Sequence, residues 1–288
     1  MTWLVPTATA QDLRIWRVAA GLVATIYLLV RAQPIIQRSG DFDGVGVLWW
    51  LDTSFDTTTL WGLWALAVVG LGTFAAGRAT QATGIIGVIA TIVLLTHRSS
   101  FGQILWFDVV MVLHLGILAV AHLPHPDTDA RHDFAGWGLR LGALVSATTY
   151  FVSAITKLQE SGTGWVSEGA LETHIAFTAT RAEVLGAASS PVESSLIDLG
   201  ITSTPLALAA LGLELGAPLA LIGRRSAWVW SALMWAMHVT IAGTMFIVFH
   251  WPLFGVLFIP TILSAGLKKW TPAVPDPVIE TSRVDELI

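Results

Sequence analysis

Residues 226–267 form a run of 42 without one lysine, arginine, aspartate or glutamate. As a single helix the run would measure about 63 Å, twice the ~30 Å hydrocarbon thickness of a bilayer. It must therefore fold back on itself, and His250, Trp251 and Pro252 mark the expected turn. The rest of the chain has the same character: 54% of its 288 residues are hydrophobic and 12% are charged, against roughly 25% charged in ordinary soluble domains. That balance leaves no room for a separate soluble domain. A net charge of −5 without a long basic run argues against a nucleic-acid partner. The absence of cysteine excludes disulfides, thiolate metal sites and thiol catalysis.

Gaps between charges locate the remaining spans, because a helix that is apolar all round carries no amphipathic signal. The first lies between Arg17 and Arg31 and reaches span length if both arginines snorkel toward headgroups. Two more follow, between Asp56 and Arg78 and over residues 79–96, with a turn at Arg78. A fourth covers residues 103–123 and contains Asp108; a fifth covers residues 141–156 and ends at Lys157. Residues 204–223 form a sixth with one charge, Glu214, and the long run supplies the last two. The expected fold is an all-α polytopic membrane bundle of about eight transmembrane helices over residues 1–269, with external loops at residues 32–59 and 159–203. Residues 270–288, with Pro272, Pro275 and Pro277, read as a cytoplasmic disordered tail. The first span reads as a retained anchor. Alternate loops divide lysine and arginine ten to five, which puts the richer side and both termini in the cytoplasm of a multi-pass cell-membrane protein.

Ionisable groups within spans cost about 2.5–3.5 kcal/mol each on insertion scales, so each needs a partner or a purpose. Lys157 stands about 25 Å above Arg140 along its helix; there it either snorkels or sits desolvated as a neutral amine able to act as a base. Glu214 lies ten residues before Arg224, and His238 lies thirteen after Arg225. Equal depth on adjacent antiparallel helices predicts a hydrogen bond between them, serving either a structural clamp or a cavity wall. His122, His125, Asp127, Asp129 and His132 cluster where Pro124 and Pro126 imply a loop, without regular ligand spacing, so no metal is expected. Trp49, Trp50, Trp106, Trp165, Trp228, Trp251 and Trp270 fit interfacial anchoring.

The segment Tyr150-Phe151-Val152-Ser153-Ala154-Ile155-Thr156-Lys157-Leu158, followed by Trp165 and Gly169-Ala170, resembles the signature of the horizontally transferred transmembrane (HTTM) family, shared with vitamin K-dependent gamma-carboxylase. Leu213-Glu214-Leu215-Gly216-Ala217-Pro218, His238 and Met245-Phe246 resemble the family's later acidic and histidine helices, in the same order. His97-Arg98-Ser99 resembles its basic turn more weakly. The resemblance implies a carboxylase-like lyase in which Lys157 is the catalytic base toward vitamin K hydroquinone or another quinone. It implies that Tyr150, Trp165, Glu214 and His238 line or brace an outward-facing cavity, and that the partners are membrane lipid and a peptide or protein substrate. The alternative is a non-catalytic membrane protein that assists peptide maturation or export through the same cavity. A transporter would call for inverted repeats and broken central helices, which the sequence does not clearly show.

Overall fold

The computed structural model describes residues 6–102, 105–122, 133–184, 186, 204–245 and 247–267. All regular elements among them are helical. Four helices are long and apolar enough to cross a membrane: α1 (Ala10–Val30), α3 (Thr57–Ala75), α4 (Thr80–Ser99) and α6 (Asp133–Ser161). These four are compatible with a membrane location; the expected total of eight exceeds what they show. Between them lie α2 (Ala32–Ile36) and α5 (Trp106–Ala121), and after them α7 (Gly164–Ser167), α8 (Ala170–Val184) and α9 (Thr204–Leu215). A 3-10 stretch, Ala217–Leu221, leads to α10 (Arg224–Met245), then α11 (His250–Leu253) and α12 (Ile259–Ala265).

Helix starts follow local chemistry. Thr9 caps α1 in a reciprocal box with Asp12, each satisfying a backbone N–H of the other. Asp56 caps α3 by accepting from the amides of Thr58 and Thr59. With no water in hydrocarbon, close packing must hold such helices together, and small residues permit it. A Cβ on Gly70 would stand 2.7 Å from the Gly87 Cα, so α3 and α4 touch backbone to backbone. Gly21 of α1 similarly meets Ala75 of α3, and Gly138 of α6 meets Ala121 of α5. The turn joining α3 to α4 uses Gly77 and Ala79, both at positive φ.

Three details depart from the sequence expectations. Arg17 does not snorkel outward: it is only 4% exposed, with its guanidinium over the Phe74 ring. The uncharged run leaves α10 after Met245, and residues 247–249 are irregular; His250–Leu253 is a helical turn instead of the corner itself. The loop at 159–203 begins as helix, since α6 continues to Ser161 and is followed at once by α7 and α8. The tail at 270–288 and His125, Asp127, Asp129 and His132 lie outside the described residues. Among the described residues no group of histidines and acids has metal-site geometry.

Candidate functional site

Lys157 and Tyr150 are seven residues apart on α6, two turns along one face. Lys157 Nζ donates to both oxygens of the Glu214 carboxylate at 2.6 Å. The lysine side chain is 22% exposed and the glutamate 7%. Trp165 of α7 covers the ammonium, its ring centroid 5.0 Å from Nζ, and also meets the His174 ring of α8 at 5.8 Å. Glu214 sits at the C-terminal end of α9, where helix carbonyls lack intrahelical partners. The Trp230 indole of α10 donates to one of them, Leu213 O, at 3.0 Å and fixes the helix end beside the carboxylate.

Two turns deeper on α6, the Tyr150 hydroxyl lies 2.6 Å from His238 Nε2. The tyrosine ring is packed by Trp230 edge-on and by Phe258 in parallel, and the His238 ring meets Phe249. His238 Nδ1 is buried and has no hydrogen-bond partner among the described residues.

The predicted Glu214–His238 hydrogen bond is therefore replaced by two separate pairs, Glu214 with Lys157 and His238 with Tyr150. Charge counting gave both residues comparable depth but not their azimuth, and each turns toward α6 instead of toward the other. Lys157 does not stand in a purely apolar surround, since its nearest neighbours are a carboxylate and an indole. Of the five residues singled out, the structure brings Lys157, Glu214 and Trp165 into one contact group and Tyr150 and His238 into a second on the same face of α6.

No protein-family profile, curated protein or solved structure matches the chain. Two further polar groups are present in the structure: Asp108 stood out in the sequence as a charge within a span, but its partners did not, and the second group was not legible. Asp108 is ion-paired with Arg98, and the Tyr27 hydroxyl completes the triangle, donating to Asp108 Oδ1 and accepting from Arg98 Nη1, each at 2.9 Å. The likeness of His97-Arg98-Ser99 to a basic turn hinted at this place, but nothing local in the sequence couples Arg98 to Tyr27, 71 residues away. His114 forms the other group. Its Nδ1 accepts from the Trp251 indole at 2.9 Å, which leaves Nε2 to carry the proton and donate to Gly142 O at 3.2 Å. Ser146 lies beside Nε2 and donates to Leu257 O. Trp251 is thus 1% exposed and structural, not the interfacial anchor its position suggested; Trp49 and Trp50, at 75% and 62%, are exposed as anchoring requires.

Proposed function

We propose that this chain is a membrane-embedded protein of the HTTM, vitamin K-dependent gamma-carboxylase-like kind, carrying out quinone-linked carboxylation or related chemistry with Lys157 as its base. The observation that carries the reading is Lys157 held on Glu214 and roofed by Trp165, with the Tyr150–His238 pair two turns along the same helix face. A lysine able to pass its proton to a carboxylate 2.6 Å away can return to the amine form and accept another. Glu214 both receives that proton and holds the ammonium that forms. Trp165 limits water at Nζ. Tyr150 fixes the His238 ring through Nε2, which leaves the buried Nδ1 free to bond a bound molecule. That orphaned nitrogen, with Trp230, Phe249 and Phe258 around the pair, suits an aromatic group bearing oxygen. A hydroquinone bound there would supply the phenolic proton and, with oxygen as oxidant, the electrons of the reaction.

The test is turnover. Purified protein in lipid nanodiscs, given vitamin K hydroquinone, oxygen and bicarbonate, should form oxidised quinone or its epoxide, read by mass spectrometry. Lys157→Ala should lower the rate by about 10²–10⁴, the usual contribution of a general base. Folded protein that turns over no hydroquinone would remove the reading. A second reading rests on the same pair: because Lys157 and Glu214 satisfy one another, they can serve as a structural clamp in a non-catalytic protein that assists peptide maturation or export.

A further inference from the structure

A cavity of about 500 Å³ lies where the end of α2, the start of α3 and the end of α4 converge, and it shares no residue with the Lys157 group. Its wall includes His97, which is 1% exposed yet has neither ring nitrogen hydrogen-bonded among the described residues. Phe42, Phe55 and Phe101 hold the imidazole on three sides at centroid distances of 5.4–5.7 Å. A phenylalanine would fill this cage without stranding two polar atoms; buried nitrogens are ordinarily paired. Both nitrogens are covered in this structure, and since His97 forms part of the cavity wall, a ligand entering there would pair one of them after a small turn of the ring.

The same wall carries Arg38, which has no ion-pair partner among the described residues. Burial, followed by the positive charges of Arg98 and Arg31, pulls the Arg38 guanidinium below its ordinary value, as happens to a cation short of counter-charge. Arg98 is neutralised by Asp108. Among the described wall residues the one carboxylate, Asp56, is occupied as a cap, accepting from the amides of Thr58 and Thr59 and from the Thr59 hydroxyl at 2.6–3.0 Å. Ser39 and Ser54 add hydroxyls. The guanidinium fork, two hydroxyls and an imidazole N–H offer more donors than the two oxygens of a carboxylate use, and they match the oxygens of a phosphate.

We propose that this cavity binds a phosphate group, with Arg38 and His97 as its principal ligands and Phe55 and Phe101 flanking whatever the phosphate is esterified to. The phosphate can come from a phospholipid headgroup, since the cavity opens at helix ends, or from a soluble phosphate. The proposal is independent of the chemistry assigned to Lys157.

The test uses the full-length protein in an uncharged detergent, with thermal unfolding followed by tryptophan fluorescence. One arm titrates inorganic phosphate against matched ionic strength of chloride; the other titrates short-chain phosphatidylglycerol in neutral mixed micelles. A saturable rise in midpoint in either arm is expected, and the arm that responds identifies the source. Arg38→Gln and His97→Phe should each raise the half-saturating concentration at least tenfold. His97→Phe keeps the aromatic cage; if it does not fold, Arg38→Gln, at an exposed position, decides alone. No saturable response in either arm, or unchanged half-saturation in Arg38→Gln, overturns the proposal.

Discussion

Removing Lys157 leaves the Glu214 carboxylate, 7% exposed, without its partner, whereas removing both leaves neither charge stranded. Deleting one member of a buried pair costs about 3–5 kcal/mol, and the lysine's 22% exposure lowers that here to about 1–3 kcal/mol through solvent screening. Lys157→Ala/Glu214→Ala should therefore be more stable than the sum of the two single changes by at least ~1 kcal/mol in a double-mutant cycle of detergent unfolding. Strict additivity would mean that the pair contributes nothing. Tyr150→Phe leaves His238 with no bonded nitrogen and should cost about 1–3 kcal/mol in the same measurement. Sequence alone picked out Lys157, Glu214 and His238 because a charge or imidazole inside an apolar run is conspicuous. It assigned the wrong partners because depth can be counted along a helix while facing direction cannot, and the 3-10 stretch Ala217–Leu221 changes the turn between α9 and α10. Tyr27 escaped notice and His97 entered only through the likeness to a basic turn, since a tyrosine or terminal histidine in a span needs no explanation until its surroundings are seen.

Helices proved longer than the gaps between charges wherever a charge finds a partner inside. α4 runs through His97 and Arg98 to Ser99 because Arg98 reaches Asp108, and α6 begins at Asp133, ahead of the buried Arg140. The hairpin at Arg78 was legible, whereas the glycine contact that sets its spacing was not, since isolated glycines in apolar runs are common. Gly87→Ala puts a Cβ 2.7 Å from the Leu71 amide nitrogen; forcing α3 and α4 apart should cost about 1–3 kcal/mol, read as a lowered unfolding midpoint. The start of α3 carries a pH dependence. The Thr59 hydroxyl and the amides it caps hold the exposed Asp56 carboxyl below its ordinary value of 3.8. A depressed carboxyl contributes stability above its unfolded value and loses it as pH falls through the folded one. Wild-type protein should therefore lose more stability than Asp56→Asn as pH drops from about 5 to 3, and parallel losses would show that the cap charge is idle.

For the whole molecule, the helical fold was legible in the sequence, and four helices compatible with a membrane location agree with its low charge density; the number of crossings was not legible. Four helices qualify by length and hydropathy; Phe107–Ala121, Thr204–Leu215 and Val256–Ala265 are apolar but short. Eight crossings with cytoplasmic termini require the shorter helices, with α10, to complete the set. Reporter fusions after Arg225 should then read cytoplasmic and fusions near Asp41 external, following the ten-to-five charge division; an external signal after Arg225 would change the count by one. The central claim is that Lys157 acts as a base, and the comparison of Lys157→Arg with Lys157→Ala tests it most directly. Arginine keeps the positive charge opposite Glu214 but stays protonated and cannot accept a proton. In hydroquinone turnover by folded, membrane-inserted protein, both variants should lose activity by about 10²-fold or more. If Lys157→Arg retains the activity or phenotype that Lys157→Ala abolishes, the lysine is a charge partner and the base assignment is contradicted.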